Sequence, residues 1–384
     1  MTESEKLYTT FDAMGLKESL LRGIYANGFE RPSLIQQKAI MPITTRKDVI
    51  AQAQSGTGKT GTFTIGMLQN IDVDSDAVCQ AIILSPTKEL AEQTFSVVNN
   101  LGSHMNLKTH LCIGGKSVKD NLDALRKGIH VMIGTPGRIY DLLHRNAIDG
   151  SKIKMLIIDE ADAMLERGFK EQLYFILKAG LSDDMQICLF SATLSVETLE
   201  ITNKFMNDPI QILIRKDDVP LDGIKQYYIN MEKEEDKFDT LLDIFEHISV
   251  NQTIIYCNSK GKVSWLAQKL TSSEYPVGEI HGEMKIEDRE LIMEKFRSGS
   301  FKVLITTDLL ARGIDIQQVS IVINFDVPTN RENYIHRIGR SGRYGRKGIS
   351  ISFITTADSK YMKDIETYYS TKMLPMPDPT ELNK

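Results

Sequence analysis

From Asp48 onward the chain repeats one rhythm, a short apolar run followed by polar or turn-forming residues and then a longer stretch of helical character. The runs are Val49–Ala51, Ala81–Leu84, His130–Ile133, Leu156–Ile158 and Ile187–Phe190. Strands that alternate with helical segments predict βαβ units, hence a parallel sheet with helices on both faces. In such sheets ligands bind at the carboxyl ends of the strands. The polar stretch from Arg215 to Pro220 interrupts the rhythm, which restarts at Gln252–Tyr256 and continues through Val303–Ile305, Ile321–Ile323 and Ile349–Phe353. The pattern predicts two α/β domains, residues 1–214 and 222–384, joined by a linker at 215–221.

Length and composition agree with two domains, since 384 residues at 41% hydrophobic content exceed one ordinary compact unit and can fill two cores. No secretory or membrane-spanning stretch is visible, which predicts a soluble intracellular protein without membrane contact. Cys79, Cys112, Cys188 and Cys257 lie far apart in mostly strand-like settings, without metal-ligand spacing. They read as reduced structural thiols. A formal net charge of -5 excludes a bulk polybasic binder. Any nucleic acid must then be held in a local groove, with backbone donors as well as side chains.

Three segments carry chemistry. Ala53–Thr60 reads Ala-Gln-Ser-Gly-Thr-Gly-Lys-Thr, a phosphate loop that opens with alanine in place of the usual glycine. Its small residues, Ser55, Gly56, Thr57 and Gly58, let backbone N–H groups face phosphates; Lys59 reaches the β- and γ-phosphates and Thr60 ligates magnesium. Alone, a Gly-rich turn before a helix can be merely structural. Next, Met155–Ile158 reads as a buried strand ending in Asp159-Glu160-Ala161-Asp162. Asp159 is placed to hold magnesium and Glu160 to orient the attacking water, although acids at a helix N-terminus are also common without such a role. Finally, His336–Arg343 packs arginines and glycines densely. In an ATPase, Arg340 and Arg343 could act on the γ-phosphate from the second domain, so that catalysis depends on domain closure; a plain anion or RNA-phosphate site is the alternative.

These elements in this order, with Ser191-Ala192-Thr193 between the last two, resemble the DEAD-box RNA helicase family from about Phe11 to Phe353. The resemblance implies two tandem RecA-like domains, ATP with Mg2+, and the reading of single-stranded RNA mainly through its backbone. It implies that Gln36, in the stretch from Gly28 to Gln36, hydrogen-bonds adenine while Phe11 stacks on it, and that Asp315 contacts the ribose. It implies RNA contacts at Thr87, Lys88, Gly115, Thr135, Arg138, Arg289 and Thr307, suited to phosphate rather than base edges. Ser191 and Thr193 resemble the motif that couples nucleotide state to RNA through the Asp162 region.

Three positions depart from the family pattern: Lys88 stands for arginine, Ile286 for a glutamine three residues before Arg289, and Glu283 for aspartate. Lysine keeps the charge but loses the planar fork, which weakens its grip on RNA phosphate. Gly223–Gln226, Lys237–Leu241 and Arg343–Gly348 resemble the translation initiation factor 4A group, with the nuclear branches for exon-junction complexes or ribosomal-RNA maturation nearest. The resemblance therefore implies a monomer with protein regulators, a part in rRNA processing and ribosome biogenesis, and a place in the nucleus or nucleolus rather than the cytoplasm. Two other activities stay open, an ATP-locked RNA clamp and a two-domain ATPase acting on protein or DNA.

Overall fold

The computed structural model describes residues 7–53, 57–74, 77–166, 168–179, 184–194, 196–213, 224–247, 252–308, 319–341, 348–369 and 371–378. The chain divides into two compact units, residues 1–215 and 216–384. The expected linker at 215–221 lies outside the described residues. Among those residues no helix is long and apolar enough to cross a membrane.

In the first unit the strands are β1 (Val49–Gln52), β2 (Ala81–Leu84), β3 (Thr109–Cys112), β4 (Val131–Gly134), β5 (Met155–Ile158), β6 (Gln186–Ser191) and β7 (Ile210–Leu213). They pair in parallel in the order β3-β4-β2-β5-β6-β1-β7. The second unit holds β8 (Ile224–Asn230), β9 (Gln252–Tyr256), β10 (Val277–Ile280), β11 (Val303–Thr306), β12 (Val319–Asn324), β13 (Gly348–Ile354) and β14 (Leu374–Pro375). Its order is β10-β11-β9-β12-β13-β8-β14, again parallel. The central strands are largely apolar because both of their faces are covered, and the polar residues they do carry, such as Ser350 and Ser352 of β13, are buried too. Along β9, Ile255 joins Ile305 and Ile323 in one core, while its neighbour Ile254 joins Leu304 and Val322 in the core on the other side. Successive side chains of a strand point to opposite faces, so only an unbroken apolar run fills both.

The central strands are legible in the sequence, whereas β3, β7, β8, β10 and β14 are not. Four of these lie at sheet edges, and β8 lies next to one. An edge strand need not bury both faces, so its residues carry polar groups such as Thr109, His110 and Glu279 that read as loop. All four cysteines are buried and free of disulfides. Burial pushes the thiols of Cys79 and Cys112 up to about 12, which keeps them protonated and inert.

The helix Lys59–Asn70 lies against the helix Leu34–Thr44 and against β6, where Phe63 and Phe190 meet edge to face at 5.2 Å. The close approach of the two helices is set by Gly66, where an added Cβ would lie 2.6 Å from Ile43 Cγ2. Gly66→Ala should therefore separate the helices and lower stability by about 1–3 kcal/mol, measured as a reduced urea midpoint. An unchanged midpoint would show that Ile43 moves aside at no cost.

Candidate active site

Every described site residue of the first unit sits at, or just beyond, the carboxyl end of a parallel strand, apart from Phe11 and Gln36 near the N-terminus. After β1 the chain turns through Thr57 and Gly58 into the helix that begins at Lys59. Gly58 has φ +98°, a left-handed conformation that disfavours other residues, and a Cβ there would lie 3.0 Å from both Gln36 Nε2 and Ser33 Oγ. Ser33 Oγ donates to the Thr57 carbonyl at 2.7 Å. Gln36 Oε1 accepts from the Ser33 N–H at 2.8 Å while its Nε2 donates to the Gly58 carbonyl at 3.5 Å. Gln36 thus ties the start of its own helix to the phosphate loop. Phe11 is fully buried, edge to face with Tyr25 at 6.4 Å and Phe29 at 6.5 Å. Ser55 and Gly56 lie outside the described residues.

Beyond β5 stand Asp159 and Glu160, both buried. Glu160 adopts φ +52°, uncommon for a residue with a Cβ, and its carbonyl accepts from the Met164 N–H at 3.2 Å to start the next helix. Its carboxylate pairs with Lys59 Nζ at 3.1 Å, away from water. Burial raises the Asp159 carboxyl well above the ordinary carboxylate range; the charge of Glu160 adds to this and Lys59 opposes it. Asp159 Oδ1 is buried without a hydrogen-bond partner among the described residues. A carboxylate so placed is suited to a divalent cation, which would supply the charge its surroundings lack; Thr60, on the first turn of the facing helix, is the second ligand the loop offers.

Beyond β6 lies Ser191-Ala192-Thr193. Thr193 donates to Asp162 Oδ2 through its backbone N–H at 3.2 Å and its Oγ1 at 2.9 Å, and Ser191 Oγ accepts from the Asp162 N–H at 3.3 Å. Gln52 Nε2 adds a bond to the Ala192 carbonyl at 3.2 Å. Gln52 drew no notice in the sequence, because a lone amide carries no spacing signal, and Ser33 stood within the Gly28–Gln36 stretch without a role of its own.

The remaining strand ends carry the other set. Thr87 Oγ1 caps the helix Lys88–Leu101 by accepting from the Leu90 N–H at 3.2 Å. The Lys88 stem reaches 3.5 Å from the point a Cβ on Gly114 would occupy, and Gly115 has φ +90°. Thr135 precedes the helix Pro136–His144, and Arg138 on its first turn reaches back to the Lys116 carbonyl at 2.8 Å. The sheet order therefore separates two groups. The β1, β5 and β6 ends hold the phosphate-loop and acidic residues, while the adjoining β2, β4 and β3 ends hold the threonines, glycines and cations.

In the second unit Thr307 follows β11, Arg289 lies in the helix Ile286–Arg297, and Arg340 follows the helix Arg331–Ile338 with its Nε donating to the His336 carbonyl at 3.1 Å. Arg337, quoted in the motif but given no role there, is fully buried, with Nε and Nη2 on Asp308 at 2.5 and 2.9 Å and Nη2 also on Asn258 at 2.9 Å. Glu283 pairs with Lys260 at the surface. Asp315, Arg343 and the Ile286 side chain lie outside the described set.

The DEAD/DEAH box helicase family matches residues 33–202, and the helicase conserved C-terminal domain matches residues 236–345. The ATP-dependent RNA helicase eIF4A of Schizosaccharomyces pombe is 54% identical over 376 residues, 98% of this chain and 95% of that protein. The chain belongs to the DEAD-box helicase family. Eukaryotic initiation factor 4A of Caenorhabditis elegans is likewise 54% identical, over 97% of this chain and 92% of its own length. A solved structure of S. cerevisiae Dbp5 bound to RNA and ADP BeF3 matches with a TM-score of 0.89 and 37% identity, covering 96% of each chain. The helicase therefore has two tandem RecA-like domains, each a parallel sheet with helices on both faces. It is an ATP-dependent RNA helicase that works with ATP and Mg2+ on RNA, and its relatives fit the initiation factor 4A group. The expectation of a nuclear or nucleolar location is corrected by these relatives, since factors named for translation initiation point to a cytoplasmic process.

The raised Asp159 carboxyl has a consequence for the free helicase. A carboxyl whose folded pKa exceeds its unfolded value favours folding at low pH and loses that contribution as pH rises through the folded value. Asp159→Asn should therefore melt higher than the parent at about pH 8, by roughly 1–2 kcal/mol, while losing stabilisation by ATP with magnesium. An Asp159→Asn protein less stable than the parent at that pH would show that ionised Asp159 is well accommodated.

Proposed function

We propose that this helicase acts as an initiation-factor-4A-type enzyme, separating short RNA duplexes or remodelling RNA-protein complexes through RNA-stimulated ATP hydrolysis. The observation that carries the catalytic roles is the buried set Lys59, Asp159 and Glu160 at adjoining strand ends. In this reading Lys59 moves from Glu160 to the β- and γ-phosphates, and Glu160, released from its ion pair, orients and polarises the attacking water. Thr60 and Asp159 would hold magnesium, which would supply charge neutralisation at the phosphates. Thr57 and Gly58 present backbone N–H groups, Gln36 and Phe11 serve the adenine, Asp315 the ribose, and Arg340 and Arg343 the γ-phosphate. Thr87, Lys88, Gly115, Thr135, Arg138, Arg289 and Thr307 hold RNA phosphates. Ser191, Thr193 and Asp162 couple the two ligands, since their shared hydrogen bonds join the β5 and β6 ends of the nucleotide group. A part in ribosomal-RNA maturation, ribosome biogenesis or the exon-junction complex gains no support from relatives named as initiation factors 4A.

Steady-state ATP hydrolysis with and without single-stranded RNA tests this reading, with Lys59→Ala as the blank. Strong stimulation that Lys59→Ala loses is the expected result; its absence would favour a clamp or another polymer. Glu160→Gln should retain ATP and RNA binding while turnover falls by about a hundredfold or more, because an amide keeps the shape but cannot act as a base. Near-normal turnover in Glu160→Gln would remove Glu160 from the mechanism.

A further inference from the structure

Arg138 is held by a residue that the family resemblance does not mention. Its Nη1 donates to Asn121 Oδ1 at 2.6 Å, and Asn121 Nδ2 lies 2.9 Å from His110 Nε2. Asn121 is buried on the helix Val118–Lys127, His110 is half-buried on edge strand β3, and Arg138 stands on the helix that follows β4. Three separate elements thus converge on one amide.

The chemistry of these groups fixes every proton. A guanidinium can only donate, so the Asn121 oxygen must face Arg138. The Asn121 NH2 group then faces His110, and Nε2 must be an acceptor, which leaves the ring proton on Nδ1. An imidazolium has no acceptor. Protonation of His110 would set N–H against N–H, and turning the amide over would only transfer the same conflict to Arg138.

We infer that Asn121 is the positioning residue for Arg138, and that neutral His110 locks its amide, so that RNA grip in the first domain depends on the protonation state of His110. The inference rests on the reading of Arg138 as an RNA-phosphate contact. It adds a reason for the close link between the loop after β3 and the helix after β4. Arg138 bonds the Lys116 carbonyl with one nitrogen and Asn121 with the other, so losing the amide frees the guanidinium and loosens the loop together.

The surroundings of His110 favour the neutral form. Burial pushes its pKa below the ordinary 6.5, Lys116 acts in the same direction, and Asp120 opposes them. From the helix Lys88–Leu101, Glu92 is ion-paired to Lys116 at 3.4 Å; from the helix after β4 the facing charge is Arg138 itself, and the β4 residue paired with His110 is uncharged Met132. Above the His110 pKa the hold is complete. It is lost as pH falls through that value.

The test measures the single-stranded RNA concentration that half-activates ATP hydrolysis in the full chain, between about pH 8 and about pH 5.5, with kcat at saturating RNA as the companion readout. Asn121→Leu should raise half-activation by roughly fivefold or more at the higher pH, with kcat at saturating RNA little changed. In the parent, half-activation should rise in acid. Asn121→Asp keeps an acceptor for Arg138 and offers a second to His110 Nε2–H, so it should restore tight activation and abolish the acid weakening. In that variant the His110 pKa, read by NMR, should move upward from the parent value. Identical pH profiles for the parent and Asn121→Asp would overturn the inference, as would normal half-activation in Asn121→Leu when Arg138→Ala is impaired. Normal half-activation in Arg138→Ala would instead overturn the RNA role of Arg138, and the inference with it.

Discussion

Burial of both faces of a parallel sheet is the constraint from which the site follows. Helices must cover each face, and each must return the chain to the same edge to begin the next parallel strand. The carboxyl ends are therefore left as a row of short turns, free of packing duty and ringed by helix N-termini. Charged and hydroxyl side chains are tolerated there because the strands beneath are rigid and the N-terminal backbone dipoles favour anions. Asp159, Glu160 and Asp162 can be buried together only because β5 is flanked on both sides, with Lys59 and Thr193 brought to it from neighbouring elements.

The Lys59–Glu160 ion pair illustrates how such a site prepares for substrate. A buried pair gains little net stability over well-packed apolar groups, because desolvation offsets the Coulomb attraction. In the proposed mechanism its use lies elsewhere: each partner neutralises the other until a phosphate draws the lysine away, which would leave the glutamate free to act as a base. The left-handed backbone at Glu160 fits the same account, since strain held at one residue keeps its carboxylate at the strand end.

Hydrogen bonds then divide the strand ends into cooperating sets. Asp162 is bonded by Ser191 and Thr193 across β5 and β6, while Asn121 joins His110 on β3 to Arg138 after β4. In both cases one short polar residue, buried from water, is held by groups from another element, Asp162 by the β6 end and Asn121 by β3 and the helix after β4, so its geometry is narrowly defined. In the proposed reading such residues transmit the state of one segment to another without touching the ligand.

The sequence by itself determined the alternation of strands and helices, the central strands, the phosphate loop and the acidic strand end, since each is local: an unbroken apolar run or a fixed spacing of small, cationic and acidic residues. The motifs also pointed to the family, and through it to ATP and RNA. Their likeness to nuclear branches misled the expectation of location, because a few local matches weigh less than identity along the whole chain. Only the tertiary structure decided the edge strands, whose half-exposed residues lack a strong pattern, and the sheet order, which places β5 beside β2 and β6 although long segments separate them in sequence. It alone brought Ser33 to Thr57, Gln52 to Ala192, and His110 through Asn121 to Arg138. Those contacts depend on where helices cross the sheet, and packing of side chains distant in the chain sets that geometry.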